Sequence, residues 1–599
     1  MPGSFLQYDY RSERDVLVPL RDGVRLATDL YLPNGPGPFP VLLERTPYDK
    51  LGTLLVRTAK YCAKRGYAVV LQDVRGRGNS EGVWYPFAHE GPDGYDTVRW
   101  ITAQPWCNGA VGTMGLSYTA SDQHALANLD PPGLAAMFVS EGMRDYFTAS
   151  MRQGGAMETR FHIYAYHMAR TSPEARRDPA LRKLFDEAWA NVREWITRMP
   201  PKPGTTPLRH LPSYERWVID VLTHAERDAY WQQPGYTVEE YFEQHADVPI
   251  AFLSGWYDSY SRATTENFAA FRRRKRGPHK LIMGPWVHGA ANLELSYAGD
   301  VEFGPDAALD SYNDLRLRWF DRYLKGLETG IEAEPPVLLF VMGGGSGRKT
   351  VDGRLDHGGS WRWEQEWPLA RTRFTPYYLQ PDGRLDPQPP PAGAPPTAYR
   401  FDPANPVPTI GGNISVGYHL MPGGGFDQRC RPEIVGCRDA LPLATRNDVL
   451  VFQTPPLPAD LEVTGPITVR LWAASNCPDT DFTAKLIDVY PPNEDYPDGY
   501  ALNLVDGIIR ARFRNGFERA ELLEPGQVYE LTIVLYPTSN RFKAGHRIRL
   551  DISSSNFPRF DVNPNTGDAL GRSRLLRVAE NTIYHDADHP SQIVLPISG

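Results

Sequence analysis

Three short stretches carry side chains able to act together on a substrate: GLSY (115–118), GWYDSY (255–260) and GPWVHG (284–289). Ser117, Asp258 and His288 stand in them, in that order along the chain. A serine hydroxyl is a weak nucleophile. An imidazole must take its proton, and a carboxylate must hold that imidazole in the right tautomer. The chemistry such a set would do is acyl transfer, opened by attack of Ser117 on a carbonyl. A serine used this way sits on a sharp strand-to-helix turn, with small residues two before and two after it. Gly115 fills the first place, but Thr119 stands in the second, so the motif is imperfect. Asp247 and Asp551 are rival acids and His279 a rival base. Of these, Asp258 ends a strand-like run just ahead of the histidine loop, whereas His279 begins one.

The elements around these residues support that placement. DVLVPLRDGVRLATDLYLP (15–33) reads as a hairpin turning at Asp22-Gly23. FPVLLERTPY (39–48), GYAVVLQDVRG (66–76) and GAVGTMGLS (109–117) read as buried strands separated by helical stretches. After residue 145 the strand signal stops. Residues 178–199 recur apolar every three or four positions and predict one amphipathic helix, capped by Asp178 and stopped at Pro200-Pro201. Thr237 to Glu240 reads as a capping box opening another helix. VPIAFLSGWYDSY (248–260) and HKLIMGPWVHG (279–289) resume the strand pattern, and LRLRWFDRYLKG (315–326) reads as a closing helix. Alternating strands and helices imply a parallel, helix-covered sheet, and loops at the carboxyl ends of its strands converge in one crevice. Beyond the Pro-rich stretch DPQPPPAGAPP, expected as a loop or linker, short strand-like runs suggest a β-sandwich.

The bulk properties narrow the function. The chain has 599 residues and a formal net charge of −8, too acidic for nucleic acid as the main partner. The basic run FRRRKRG (271–277) reads as the last turn of a helix with Gly277 as its cap. Five cysteines do not make a disulfide framework, although Cys430 and Cys437 are close enough to pair. No apolar run of about 18 residues is present, and the first residues lack a secretory pattern, so no membrane association and a cytoplasmic location are expected. DVRGRG (73–78) lacks the Lys and Ser/Thr of a phosphate loop, so a structural link from Asp73 to Arg75 or Arg77 is expected instead. No metal and no organic cofactor are implied.

At this point the sequence resembles the cocaine-esterase-like acyl esterases, of a wider group with the α-amino acid ester hydrolases, glutaryl acylases and X-Pro dipeptidyl-peptidases. The matching segments are RTPYDK (45–50), QDVRGRGNSEG (72–82), GLSY, GWYDSY, GPWVHG, WFDRYLKG (319–326), DFTAKLIDVYP (481–491) and SSSNFPRFDVNPNTG (553–567). They run through nearly the whole chain. The resemblance implies an α/β fold: an α/β-hydrolase domain (1–144 and 241–350), an inserted helical cap (145–240) and a C-terminal β jelly-roll (351–599). It implies Ser117 as nucleophile, His288 as general base and Asp258 as its orienting partner. Tyr48 matches the tyrosine whose hydroxyl helps hold the oxyanion, with the Tyr118 N–H as second donor. Ala120 stands where relatives often have Gly. The acids that follow the triad Asp in the amino acid ester hydrolases are absent: Ser259, Tyr260, Ser261 and Arg262 stand there.

Tyr260, Tyr146 and Phe147 are the candidates for walls of an acyl pocket; Trp286 reads equally well as packing. The expected substrate is a small ester or amide, foremost an ester with a bulky or aromatic acyl group, and self-association is expected. An amidase or acylase is the alternative within hydrolases. A carbohydrate-binding protein using its jelly-roll is the alternative outside them.

Overall fold

The computed structural model describes residues 3–598. The Asp22-Gly23 turn joins β1 (Tyr10–Pro19) to β2 (Arg25–Pro33) as an antiparallel hairpin, with Gly23 at φ +87° where a side chain would be strained. The chain continues through β3 (Phe39–Thr46), α1 (Thr53–Ala63), β4 (Ala68–Asp73), α2 (Glu90–Thr102), β5 (Cys107–Leu116), α3 (Tyr118–Ala127) and β6 (Leu134–Ser140). It then leaves the sheet for a helical excursion: α4 (Tyr146–Ala149), α5 (Arg160–Arg170), α6 (Pro173–Arg177), α7 (Pro179–Ala190), α8 (Val192–Thr197) and α9 (Pro212–Thr223). It returns with β7 (Ile250–Gly255), α10 (Ser261–Arg274), β8 (His279–Gly284), α11 (Tyr312–Lys325) and β9 (Val337–Met342).

The strand order is β1-β2-β4-β3-β5-β6-β7-β8-β9, parallel from β4 onward. Every residue of β3, β4, β7 and β8 is buried, as a parallel sheet covered by helices on both faces requires. β5, β6, β7 and β8 are consecutive neighbours, so the loops at their carboxyl ends share one edge of the sheet. Hydrogen bonding does not stop at residue 350. β9 pairs with Gly359–Glu364, and Met342 touches the register of Asn540. Two antiparallel sheets follow, a jelly-roll-type sandwich. One includes Thr372–Leu379, Leu461–Gly465, Thr468–Ser475 and Gln592–Ser598; the other orders Leu450–Gln453, Arg547–Ser553, Asp481–Tyr490 and Tyr500–Arg510.

Several local expectations need correction. The helix expected over 178–199 is two helices, α7 and α8, broken at Asn191, although Asp178 does cap α7 through Ala180 and Leu181. Thr237 opens only a single 3-10 turn (Glu239–Tyr241): its hydroxyl accepts from the Glu239 N–H, but Glu240 pairs with Arg227 and the Thr237 N–H donates to the Gln233 carbonyl, so the capping box is not closed. α10 ends at Arg274, and Gly277 is no cap; its N–H is bound by Asp247. Asp73 does not pair with Arg75 or Arg77. It accepts from the N–H groups of Lys50 and Asn79, while Arg75 reaches Asp93 and Arg77 reaches the Pro47 carbonyl. The Pro-rich stretch is a loop inside the β region, between Leu385–Asp386 and Thr397–Phe401. Cys430 and Cys437 are bonded to each other.

Candidate active site

Ser117 occupies the turn between β5 and α3, with φ 69° and ψ −119°. A non-glycine residue there stores roughly 1–3 kcal/mol of strain, which the flanking strand and helix must hold. Thr119 explains why the imperfect motif still works. Its hydroxyl accepts from the Leu116 N–H at 2.7 Å and donates to the Leu116 carbonyl at 3.0 Å. That brings the Thr119 side chain against residue 115, where a Cβ would lie 2.3 Å from Thr119 Oγ1, so only glycine fits. The threonine thus clamps the turn rather than obstructing it. Ala120 is fully buried.

The three distant side chains meet. His288 Nε2 lies 2.8 Å from Ser117 Oγ, and His288 Nδ1 lies 2.8 Å from Asp258 Oδ1. Asp258 Oδ2 accepts from the Ser254 hydroxyl at 2.7 Å, which fixes the carboxylate. Neither rival acid is near: Asp247 binds the Arg276 and Gly277 N–H groups, and Asp551 pairs with Arg549. His279 starts β8, and burial lowers its pKa to about 4.

Tyr48 follows β3 and enters the same cleft. The residue is 41% exposed, while its hydroxyl faces Ser117 and Tyr164, whose hydroxyl is 3.4 Å away. Burial of the Tyr48 hydroxyl, with the neighbouring Tyr260, pushes its pKa up to about 12, so the phenol stays a neutral donor at ordinary pH. The Tyr118 phenol is committed elsewhere, donating to Glu90 and accepting from the Phe87 N–H. Its backbone N–H opens α3, where the first amides of a helix have no intrahelical acceptor. The Tyr48 phenol thus lies beside Ser117, and the Tyr118 amide follows Ser117 directly at the head of α3.

Tyr260 lines the cavity at Ser117, its ring 5.6 Å from the imidazole. Tyr146 and Phe147 do not line it. Tyr146 lies behind, its hydroxyl 2.9 Å from Ser121 and its ring against Phe87. Phe147 packs on Trp231 and Phe517. Trp286 is packing, its indole N–H on the Ala307 carbonyl. The walls instead include Phe87, Phe161, Tyr164, Arg160 and Val416. Arg160 is fully engaged, by Glu158, by Ser415 at 2.6 Å and by Ser150 at 2.8 Å, and its guanidinium lies 4.2 Å from the Phe161 ring centroid. A larger cavity between Arg193, Met199, Phe557 and Leu570 shares no residue with this site; chemistry, not size, locates the cleft.

One further acid was not foreseen. Glu141, fully buried at the end of β6, places Oε2 2.9 Å from His288 Nδ1. Burial and the neighbouring Asp258 push its pKa up, and a charged His288 pulls it down. Burial disfavours a charged His288, but the two carboxylates outweigh it and raise the imidazole pKa. Glu141, Asp258 and His288 offer one ligand atom each within 4.8 Å of one another. His288 Nδ1 is already hydrogen-bonded to Asp258 Oδ1 at 2.8 Å and stands 2.9 Å from Glu141 Oε2, separations too short to suit ligands spread round a cation.

A parallel sheet with an elbow serine and a histidine-bearing loop three strands further on defines a serine hydrolase of the α/β-hydrolase class. The chain belongs to the cocaine-esterase-like branch of the X-Pro dipeptidyl-peptidase (S15) family. Residues 22–290 match the X-Pro dipeptidyl-peptidase (S15 family) profile, and residues 329–594 match the X-Pro dipeptidyl-peptidase C-terminal non-catalytic domain. The chain is 36% identical to cocaine esterase of Rhodococcus sp. (strain MB1 Bresler), covering 98% of this chain and 99% of that one. Among solved structures it is similar to an aminopeptidase from a marine sediment Thaumarchaeota archaeon (TM-score 0.78, 25% identity, 100% and 98% of the two chains). It is also similar to an α-amino acid ester hydrolase (TM-score 0.75, 26% identity, 98% and 97%). Among the described residues, no helix is long and apolar enough to cross a membrane.

Proposed function

We propose that this serine esterase cleaves esters of uncharged, bulky or aromatic acids through an acyl-enzyme. The observation that carries the mechanism is the continuous contact from Ser117 Oγ through His288 to Asp258. Ser117 attacks the ester carbonyl as His288 Nε2 takes its proton. The Tyr48 hydroxyl and the Tyr118 N–H receive the developing oxyanion. His288 then protonates the leaving alcohol and afterwards activates the water that releases the acid.

The acyl preference rests on the walls. Phe87, Phe161, Tyr164 and Tyr260 are aromatic, and among the described residues that line this cavity none is a carboxylate. An α-ammonium substrate needs a carboxylate to hold it, and here it would meet the Arg160 guanidinium instead. That observation weighs against the amino-acid ester and aminopeptidase reading that the two structural relatives invite, and agrees with a relative named cocaine esterase. Comparing kcat/KM on p-nitrophenyl benzoate, on an α-amino acid ester and on the matching anilide tests this. A benzoate preference of tenfold or less would overturn it. Self-association and a cytoplasmic location complete the reading. Light scattering tests the first. Fractionation tests the second.

A further inference from the structure

Four adjacent strands each deliver one group to the catalytic edge: Ser117 after β5, Glu141 after β6, Asp258 after β7 and His288 after β8. Glu141 takes a left-handed backbone conformation, φ +56°, which an ordinary side chain adopts at a cost of roughly 1–3 kcal/mol. That turn directs its carboxylate at the imidazole. Oε2 is 2.9 Å from both His288 Nδ1 and the Gly289 N–H. Oε1 is buried with no hydrogen-bond partner among the described residues. A carboxylate half-satisfied in the interior is unfavourable unless a charge nearby uses it. Among the described residues, His288 is the one cationic group against it. Its other neighbours are Asp258 and, through Ser140, the Tyr312 phenol, with Glu44 and Arg316 beyond; the imidazole itself also faces Ser117 and the Tyr260 ring.

We propose that Glu141 is a second positioning acid for His288: it shares the Nδ1–H with Asp258 and stabilises the imidazolium formed when Ser117 gives up its proton. The inference rests on the Ser117–His288 mechanism above. It makes this a two-acid site in which loss of either carboxylate leaves the imidazole tautomer held by the other. No group is transferred beyond the proton that His288 accepts from Ser117 and returns to the leaving alcohol.

The alternative is that Glu141 merely anchors the histidine loop through Gly289. Glu141→Gln separates the two, because an amide oxygen still accepts from Gly289 but carries no charge. Removing an anion beside the imidazole lowers its pKa, so neutral His288 persists to lower pH. The acid limb of the kcat/KM profile should move down by about one pH unit. An anchor role leaves the limb in place and rescales the activity. Asp258→Asn, with Glu141 intact, is the second variant should Glu141→Gln fold poorly. It should lose about 10²-fold in kcat, against the ~10⁴-fold typical when a lone triad acid is so replaced. The double variant should fall to that lower level. An unmoved limb, or a ~10⁴-fold loss from Asp258→Asn alone, overturns the proposal. Fluorophosphonate labelling of the wild type reads the parent mechanism independently, so failure of one is distinguishable from failure of the other.

Discussion

The serine corner and the histidine corner of the cleft are built in different ways. Ser117 is held by its own neighbours in sequence: Gly115 for space, Thr119 for the clamp on Leu116, and Ser121, whose N–H and hydroxyl both reach the Ser117 carbonyl. Asp258 and His288 are held from afar. The Asn413 amide donates to the Trp256 and Asp258 carbonyls, Ser259 meets the Ser415 hydroxyl at 2.9 Å, and the Tyr536 hydroxyl reaches the Ser259 carbonyl at 3.2 Å. Those partners lie in the C-terminal β region. The difference teaches that the second domain is structurally part of the catalytic apparatus: it braces the acid loop and supplies Val416 to the pocket wall.

Substitutions can break each corner in turn. Ser117→Ala removes the nucleophile and should lower kcat by about 10⁴-fold or more with an unchanged melting temperature, since the methyl fills nearly the same space. A residual rate within a hundredfold of wild type would mean another group attacks. Tyr48→Phe removes one oxyanion donor, and a loss of about 10²–10³-fold in kcat with little change in KM is expected. Steady-state kinetics on one ester suffice to check the split. Asn413→Ala attacks the histidine corner from the other domain. It leaves the Trp256 carbonyl without its side-chain donor, while the Asp258 carbonyl keeps the Ser261 N–H, and a loss of about tenfold in kcat with a stability loss of ~1–3 kcal/mol is expected. If kcat is untouched, the β region does not brace the acid loop. Thr119→Val attacks the serine corner from within. It should cost about 1 kcal/mol in urea unfolding and less than tenfold in activity, because Gly115 and the helix still define the turn.

Much of the serine corner was legible because it is local. A glycine two before a serine, at the meeting of a strand run and a helix run, states its own geometry. The order Ser117, Asp258, His288 was legible because each ends a strand of one parallel sheet. Glu141 was not, since nothing in FVSEGMRD marks it. Only the β6–β7 and β7–β8 registers bring it beneath His288. Arg160 and Ser415 were hidden for the same reason, being joined across long loops. Aromatic residues near the motif misled in the opposite direction. Tyr146 and Phe147 are close to the site in sequence yet satisfy packing behind the wall. Breaks such as Asn191 within an apolar helical period follow from packing of the helical excursion, which periodicity does not encode.

The most direct test is reaction with a fluorophosphonate probe followed by peptide mapping. The account predicts one label per chain, on the peptide carrying Ser117, abolished by Ser117→Ala and slowed by replacing His288. A wild-type chain that stays unlabelled, or a label on any other residue that survives Ser117→Ala, would contradict it.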